Sequence, residues 1–222
     1  MKWGLLLQLS AGAMALIGYA IGWWFEPKRR ARRALTRVQE ARLSDLRDGD
    51  RARVTGIARA TDETTTSPIG QRSCIGFHVV VEEKTSGGAG ANWHTLLVRS
   101  HCLPFGLVDG DAEAVVEGPF DLGLDPDDRG DVWSNLPPTL FAMLEEARIP
   151  LTGHFGRDKE FRFREALLRA GDRVSVLGRV SVEPNPYGRR ENPRGTPLQC
   201  RVSGSEGQPV MVGDADDLEA LN

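Results

Sequence analysis

Two stretches of the chain follow nearly one pattern. LRDGDRARVTG begins at Leu46, and LRAGDRVSVLG begins at Leu168, 122 residues later. The shared frame is Leu-Arg-x-Gly-Asp-Arg, with Val54 answering Val176 and Gly56 answering Gly178. Gly-Asp marks a turn, and the alternation after it predicts a strand with one buried face. A glycine inside such a strand marks a bulge, a sharp bend or the close approach of another backbone. A chain with two such segments must build two small β-domains or use both segments within one. We expect one domain, with the two copies forming two edges of a composite β-structure.

The rest of the soluble region reads mainly as short strands. Apolar runs predict strands at 74–81, 93–100 and 112–117, with a hairpin tip at GGAGAN, 87–92. TLFAMLEEAR at 139–148 predicts a helix whose buried face holds Leu140, Met143, Leu144 and Ala147, with Pro137 and Pro138 suiting its start. A second helical turn is expected at 163–169. NPYGRRENPRGTP, 185–197, is a Pro/Gly-rich loop, and the acidic end of the chain, 214–222, is expected to be mobile.

Ahead of this region, Trp3 to Phe25 contains no charged residue. At about 1.5 Å per residue such a helix reaches roughly 34 Å, enough to cross a bilayer core. Trp3 at one end and Tyr19, Trp23 and Trp24 toward the other suit the two interfaces. A cleaved signal peptide fits less well, because Trp-Trp-Phe stands where small residues should precede cleavage. The small residues Gly18 and Gly22, four apart, would let two such helices pack closely and form a homo-oligomer.

Lys28, Arg29, Arg30, Arg32, Arg33 and Arg37 follow with no acid among them. By the positive-inside rule, one lysine before the span and six basic residues after it place the N-terminus outside and the β-domain in the cytoplasm. In a bacterial cell that membrane would be the plasma membrane. The same six residues would face anionic lipid headgroups. Residues 1–27 are thus read as anchor, 28–45 as a basic juxtamembrane helix and linker, 46–213 as the β-domain and 214–222 as a tail.

Charge and cysteines exclude several functions. Residues 1–27 are neutral and 28–37 carry +6, so a chain total of −3 leaves −9 for residues 38–222. An acidic body is a poor partner for nucleic acid, whose binding depends on Lys and Arg. Cys74, Cys102 and Cys200 are far apart and form no CxxC pair, so no zinc ribbon or RING can be built from them. His94 and His101 bracket a strand at an odd separation, which puts them on opposite faces if the strand is regular. In DLGLDPDDRGD, 121–131, Asp125, Asp127 and Gly130 suit a calcium loop, but Arg129 and Leu136 occupy two ligand positions. No nucleophile elbow, phosphate loop or metalloprotease motif occurs, so the expectation is a chain with no metal, no cofactor and no catalytic residues of its own.

Ser67-Pro68-x-Gly70 followed by Cys74 and Phe77, Phe105-x-Leu107-x-Asp109, Pro137-Pro138-x-Leu140 and Phe163-x-Glu165-x-x-Leu168-x-x-Gly171-Asp172 resemble, in that order, the motifs of the GIDE or "beside a membrane" (BAM) domain. That family includes the mitochondrial ubiquitin ligase MULAN and membrane-anchored bacterial relatives. The resemblance covers roughly residues 46–203 and implies an OB-like composite β-barrel or sheet with one or two short helices, behind a single N-terminal transmembrane helix. It implies a binding or scaffolding module at the cytoplasmic membrane face, with a protein or peptide partner held by Ser67, Pro68, Gly70, Cys74, Phe77, Phe105 and Glu165. The ligase members add a second span and a RING, and neither pattern occurs in these residues. The alternative is therefore a non-catalytic subunit of a ubiquitin-like ligase system, and a third reading is a hydrolase using Cys74 or Cys102.

Overall fold

A computed structural model describes residues 27–87, 90–126, 138–151, 160–184 and 198–220. The expected membrane span with Gly18 and Gly22, the centre of the hairpin tip, the second half of the acidic stretch 121–131 and the loop 185–197 lie outside the described residues. Among the described residues, no helix is long and apolar enough to cross a membrane.

The elements in order are helix α1 (Pro27–Arg37), a 3₁₀ turn (Leu43–Asp45), β1 (Arg51–Ala60), β2 (Thr65–Thr66), β3 (Ser73–Cys74), β4 (Gly76–Gly87) and β5 (Gly90–Cys102). There follow β6 (Phe105–Asp109), β7 (Ala112–Glu117), β8 (Phe120–Gly123), α2 (Pro138–Glu146) and β9 (Phe161–Leu168). The chain continues through β10 (Arg173–Pro184), β11 (Leu198–Ser203), β12 (Val210–Asp214) and α3 (Ala215–Glu219). The protein is mainly β, as its alternating runs predict.

Five strands close on themselves in the order β1-β6-β7-β11-β10 and back to β1. Every pairing in this ring is antiparallel except β7 with β11. β12 and β8 extend from β10, which pairs with β12 over Val174–Leu177 and with β11 from Arg179 onward. Closure removes the free edges that an open sheet of this size would expose. The interior is filled by Val54, Phe105, Leu107, Val116, Val176, Val202 and Val212, among others, all almost fully buried.

The two similar segments are neighbours in this ring. β1 and β10 pair antiparallel with Val54 opposite Val176, Ala52 opposite Gly178 and Gly56 opposite Val174. Advancing each residue of β1 by 122 positions exchanges these partners, so the two copies are related by a local two-fold through the valine pair. The turns obey the same symmetry. Gly49 N–H donates to Val180 O at 2.9 Å and Gly171 N–H to Ala58 O at 2.8 Å, while Val180 and Ala58 donate back to Asp50 O and Asp172 O. The carboxylates of Asp50 and Asp172 accept from the backbone of Arg47 and Arg169 at 2.9 and 2.6 Å. The expectation of two separate edges is corrected. Each copy is the other's hydrogen-bonding partner, which is why one pattern serves both.

A second lobe grows from the barrel. The sheet β5-β4-β9 draws β4 and β5 from the connection between β1 and β6, and β9 from the segment before β10. Its inner face carries Phe77, Val79, Val81, Phe161, Phe163 and Leu167, and α2 covers them with Leu140, Met143 and Leu144. The helix was expected at 139–148; it ends at Glu146, leaving Ala147 exposed in a turn. The helical turn expected at 163–169 is instead strand β9. Glu, Ala and Leu there favour a helix weakly, but pairing of β9 along β4 from Glu83–Phe161 to Gly76–Leu168 supplies a full ladder and overrides that preference.

The basic helix is part of the folded body rather than a free connector. Ala31 and Leu35 of α1 are fully buried against Leu177, Met211 and Leu218. A Cβ on Gly213 would lie 2.8 Å from Leu35 Cδ1, so the helix sits directly on the backbone of β12. Arg30 pairs with Asp121 at 2.8 Å, and burial raises the Asp121 carboxyl above its ordinary range despite that cation. Buried Arg53 donates to Leu35 O and Glu40, tying the end of α1 to β1. At the other end of the chain, residues 215–219 form α3 with Ala215 and Leu218 buried, so this part of the acidic tail is seated against β10 and β12 rather than free.

Candidate functional site

The residues Ser67, Pro68, Gly70 and Glu165 come together, although 95 positions separate Gly70 from Glu165. Glu165 lies on β9 with 3% of its surface exposed. Its carboxylate accepts from Ile69 N–H at 2.9 Å, Gly70 N–H at 3.1 Å and Ser67 Oγ at 3.1 Å, and Arg72 Nη2 stands at 3.4 Å. A buried carboxylate is tolerated only when its lone pairs and charge are met in this way. Glycine at position 70 suits this close approach, because a Cβ there would lie 3.1 Å from Glu165 Oε2 and 2.7 Å from Arg72 Nε.

The anchored turn is tied in turn to α2. Thr139 Oγ1 donates to Pro68 O at 2.7 Å, and Gln71 Nε2 donates to Pro68 O and to Thr139 Oγ1 at 3.0 and 2.9 Å. Between turn, helix and sheet lies a cleft of about 260 Å³ lined by Thr66, Ser67, Pro68, Gln71, Phe77, Arg99, Thr139 and Met143. Its wall is apolar over Phe77 and Met143, and its rim is polar. Arg99 reaches from β5 to Glu146 on α2 with Nη1–Oε2 2.6 Å, and this contact holds the Glu146 carboxyl below its ordinary range. The arrangement suits recognition of an apolar group with a polar neighbour; it offers no activated nucleophile.

The other expected site residues lie elsewhere or behind this wall. Phe105 is fully buried in the barrel, with its ring 6.1 Å from that of Phe120, so it shapes the core. Cys74 is 3% exposed, and its thiol approaches Thr65 O at 3.7 Å. The basic set is mixed: Arg29, Arg32 and Arg33 are half-buried, Arg30 and Arg37 exposed. Gln71, Arg99, Thr139 and Met143 were not expected. Thr139 and Met143 are on a helix that the sequence does reveal, but Arg99 joins them only through the register of β5 on β4.

The thiols are unsuited to attack. Burial pushes the Cys102 thiol up to about 12 and raises Cys74, helped there by the Glu165 carboxylate. A nucleophilic cysteine needs the opposite shift. Iodoacetamide at pH 8 is therefore expected to leave Cys74 and Cys102 unmodified in the native protein and to label both after denaturation, as read by intact mass. Rapid native labelling at Cys74 would restore the thiol-dependent reading.

The histidine expectation is also corrected. Val81 faces Leu97 but Glu82 faces Thr95, so Leu96 is an extra residue in β5. This bulge reverses the alternation and puts His94 and His101 on one face, where His101 lies 5.7 Å from the Phe77 ring. Among the described residues, the grouping with metal-ligand spacing is Asp125, Asp214 and Asp217, whose carboxylate oxygens lie within 4.8 Å of one another. One of these carboxylates, Asp214 Oδ2, already accepts Asp125 N–H at 2.9 Å.

Fold and site thus define a closed five-stranded barrel bearing a sheet-and-helix lobe with a small, apolar-walled cleft. No family model, curated protein or solved structure matches the chain.

Proposed function

We propose that this protein is a membrane-anchored binding or scaffolding module whose ligand site is the cleft between the Ser67–Arg72 turn, β4, β5 and α2. The observation that carries this reading is the anchoring of the turn by buried Glu165. Four donors converge on one carboxylate to hold a surface turn rigidly against α2. A preorganised concave wall lowers the ordering cost of binding.

The anchor is the uncharged stretch before α1, with the N-terminus outside and the barrel in the cytoplasm. The docking of α1 on the barrel supports a body held close to the bilayer, because little free chain separates Pro27 from the core. The ring order, one-two-three-five-four with strands three and five parallel, supports the OB-like reading of the barrel. A relationship to the GIDE/BAM domain would rest on the ordered motifs, of which the Ser67-Pro68-x-Gly70 turn and Glu165 meet in one hydrogen-bonded cluster.

The test is affinity capture from cross-linked membranes, comparing the full chain with Met143→Trp, which fills the cleft from an existing helix position. A partner present with the parent chain and lost from the variant is the expected result. Recovery of the same partners by both, with the variant shown to be folded by its thermal transition, would remove the cleft from consideration.

A further inference from the structure

The two-fold that relates β1 and β10 is broken on the outer wall of the barrel. Arg51 and Arg173 occupy the same position in the two copies, and so do Ile57 and Arg179. At one end of the paired strands Arg173 stands opposite Ile57; at the other, Arg51 stands opposite Arg179. The acids of α3 close the first end, with Arg173 Nη1 3.2 Å from Asp216 Oδ1 and Nη2 2.6 Å from Glu219 Oε1. The second end carries two cations and no such helix. Like charges directly opposite in a ladder repel. Arg51 and Arg179 are both exposed, and among the described residues neither makes an ion pair or a hydrogen bond.

The end of α1 comes to the same place. Arg53, two residues along from Arg51 on the same face, donates to Leu35 O at 3.2 Å, and Glu40 bridges Arg53 in parallel. The intervening turn, which carries exposed and unpaired Arg37, therefore passes beside β1. Nearby carboxylates are turned to the protein's own donors. Glu40 accepts from Arg53, Asp48 from Val182 N–H at 3.1 Å and Asp50 from Arg47 N–H at 2.9 Å.

We propose that Arg37, Arg51 and Arg179 bind the phosphates of anionic lipid headgroups, so that this wall of the barrel lies against the bilayer. The proposal rests on the membrane anchor and adds to the basic run two residues that the run does not contain. The partner follows from where the face sits. The uncharged stretch ends at Phe25, and α1 begins at Pro27 and runs for 11 residues, about 16 Å. Buried Ala31 and Leu35 seat that helix on the barrel, so the wall at its far end stays within that distance of the chain's exit from the bilayer. Guanidinium groups match phosphate oxygens in charge and in fork geometry, and three of them converge here.

The experiment measures the phenylglyoxal reactivity of individual arginines by peptide mass spectrometry, with the full chain in nanodiscs. Discs of phosphatidylcholine alone are compared with discs that also contain phosphatidylglycerol. Arg148, exposed just beyond α2, serves as the reference. In the anionic discs Arg37, Arg51 and Arg179 should each react about fivefold more slowly relative to Arg148 than in the neutral discs. High salt should restore their rates. Arg179→Glu, which gives Arg51 a partner across the ladder and so keeps the fold, should at least halve the protection of Arg37. Protection of Arg37 alone would overturn the proposal by confining the contact to the basic run. Equal protection by inorganic phosphate in neutral discs would overturn it in favour of a soluble anion. A chain that does not co-elute with the discs would overturn the anchor, and the proposal with it.

Discussion

Replacing Glu165 by alanine is expected to lower the stability of the lobe by about 4 kcal/mol, within the range for breaking a buried charge constellation. The carboxylate is nearly sealed from water, and the variant would leave the N–H groups of Ile69 and Gly70 and the hydroxyl of Ser67 without their acceptor. Each buried donor left unsatisfied costs about 1–3 kcal/mol. Arg72 contributes less to the loss, because its side chain is 41% exposed and can turn to water. Glu165→Gln should cost about 2 kcal/mol, since it keeps one oxygen acceptor but turns an NH₂ toward donors. Chemical denaturation measures both losses, and amide exchange at Ile69 and Gly70 reports the turn itself. A loss under about 1 kcal/mol for the alanine variant would mean that the turn is held by its own hydrogen bonds and by α2.

Gly56→Ala is expected to cost about 3 kcal/mol, the upper part of the usual range for overpacking. The added methyl would lie 2.5 Å from Val108 O and 3.1 Å from Leu107 Cγ. Val108 is paired with Ile57 in the ladder, so its carbonyl can withdraw only by opening the β1–β6 seam of the barrel. Gly178, the matching residue of the second copy, meets Val202 Cγ1 at 2.6 Å and Ser203 O at 3.0 Å. A side chain gives way more readily than a paired carbonyl, so Gly178→Ala should cost about 2 kcal/mol. Gly49 has nothing within 4 Å and a φ of +87°, so Gly49→Ala should cost about 1 kcal/mol, from backbone strain alone. Urea unfolding of the three variants orders them. If Gly49→Ala proved the most damaging, the turn rather than the barrel seam would be the origin of the pattern that the two segments share.

The β-character of the chain, the strands at 74–81 and 112–117 and the helix near 139–148 were legible because each is written in a local period of apolar residues. The turns at Gly49-Asp50 and Gly171-Asp172 were legible from the Gly-Asp pairs themselves. The strand β9 was not, because Arg-Glu-Ala-Leu-Leu-Arg satisfies a helical pattern nearly as well as a strand pattern. What decides it is the length of β4 lying alongside, a partner far away in the chain, from Glu83–Phe161 to Gly76–Leu168.

The candidate site shows the same division. Ser67-Pro68-x-Gly70 is an evident turn, and Glu165 could be singled out only by resemblance to a family motif. Nothing local says that one carboxylate closes over the other segment's amides. Arg99 was missed because its place at the cleft depends on a register, and one bulged residue at Leu96 sets on which face its N-terminal neighbours fall.

By itself the sequence determined which segments alternate, where the chain turns, and that two of its strands begin in one way. Only the tertiary structure decided that those two strands are each other's partner, that the basic helix is seated on β12, and that Glu165 holds the wall of a cleft. Local periodicity records how a segment divides its faces between core and water. It carries no record of the partner, because pairing is settled by the free energy of closing long loops around a shared core, to which the whole chain contributes.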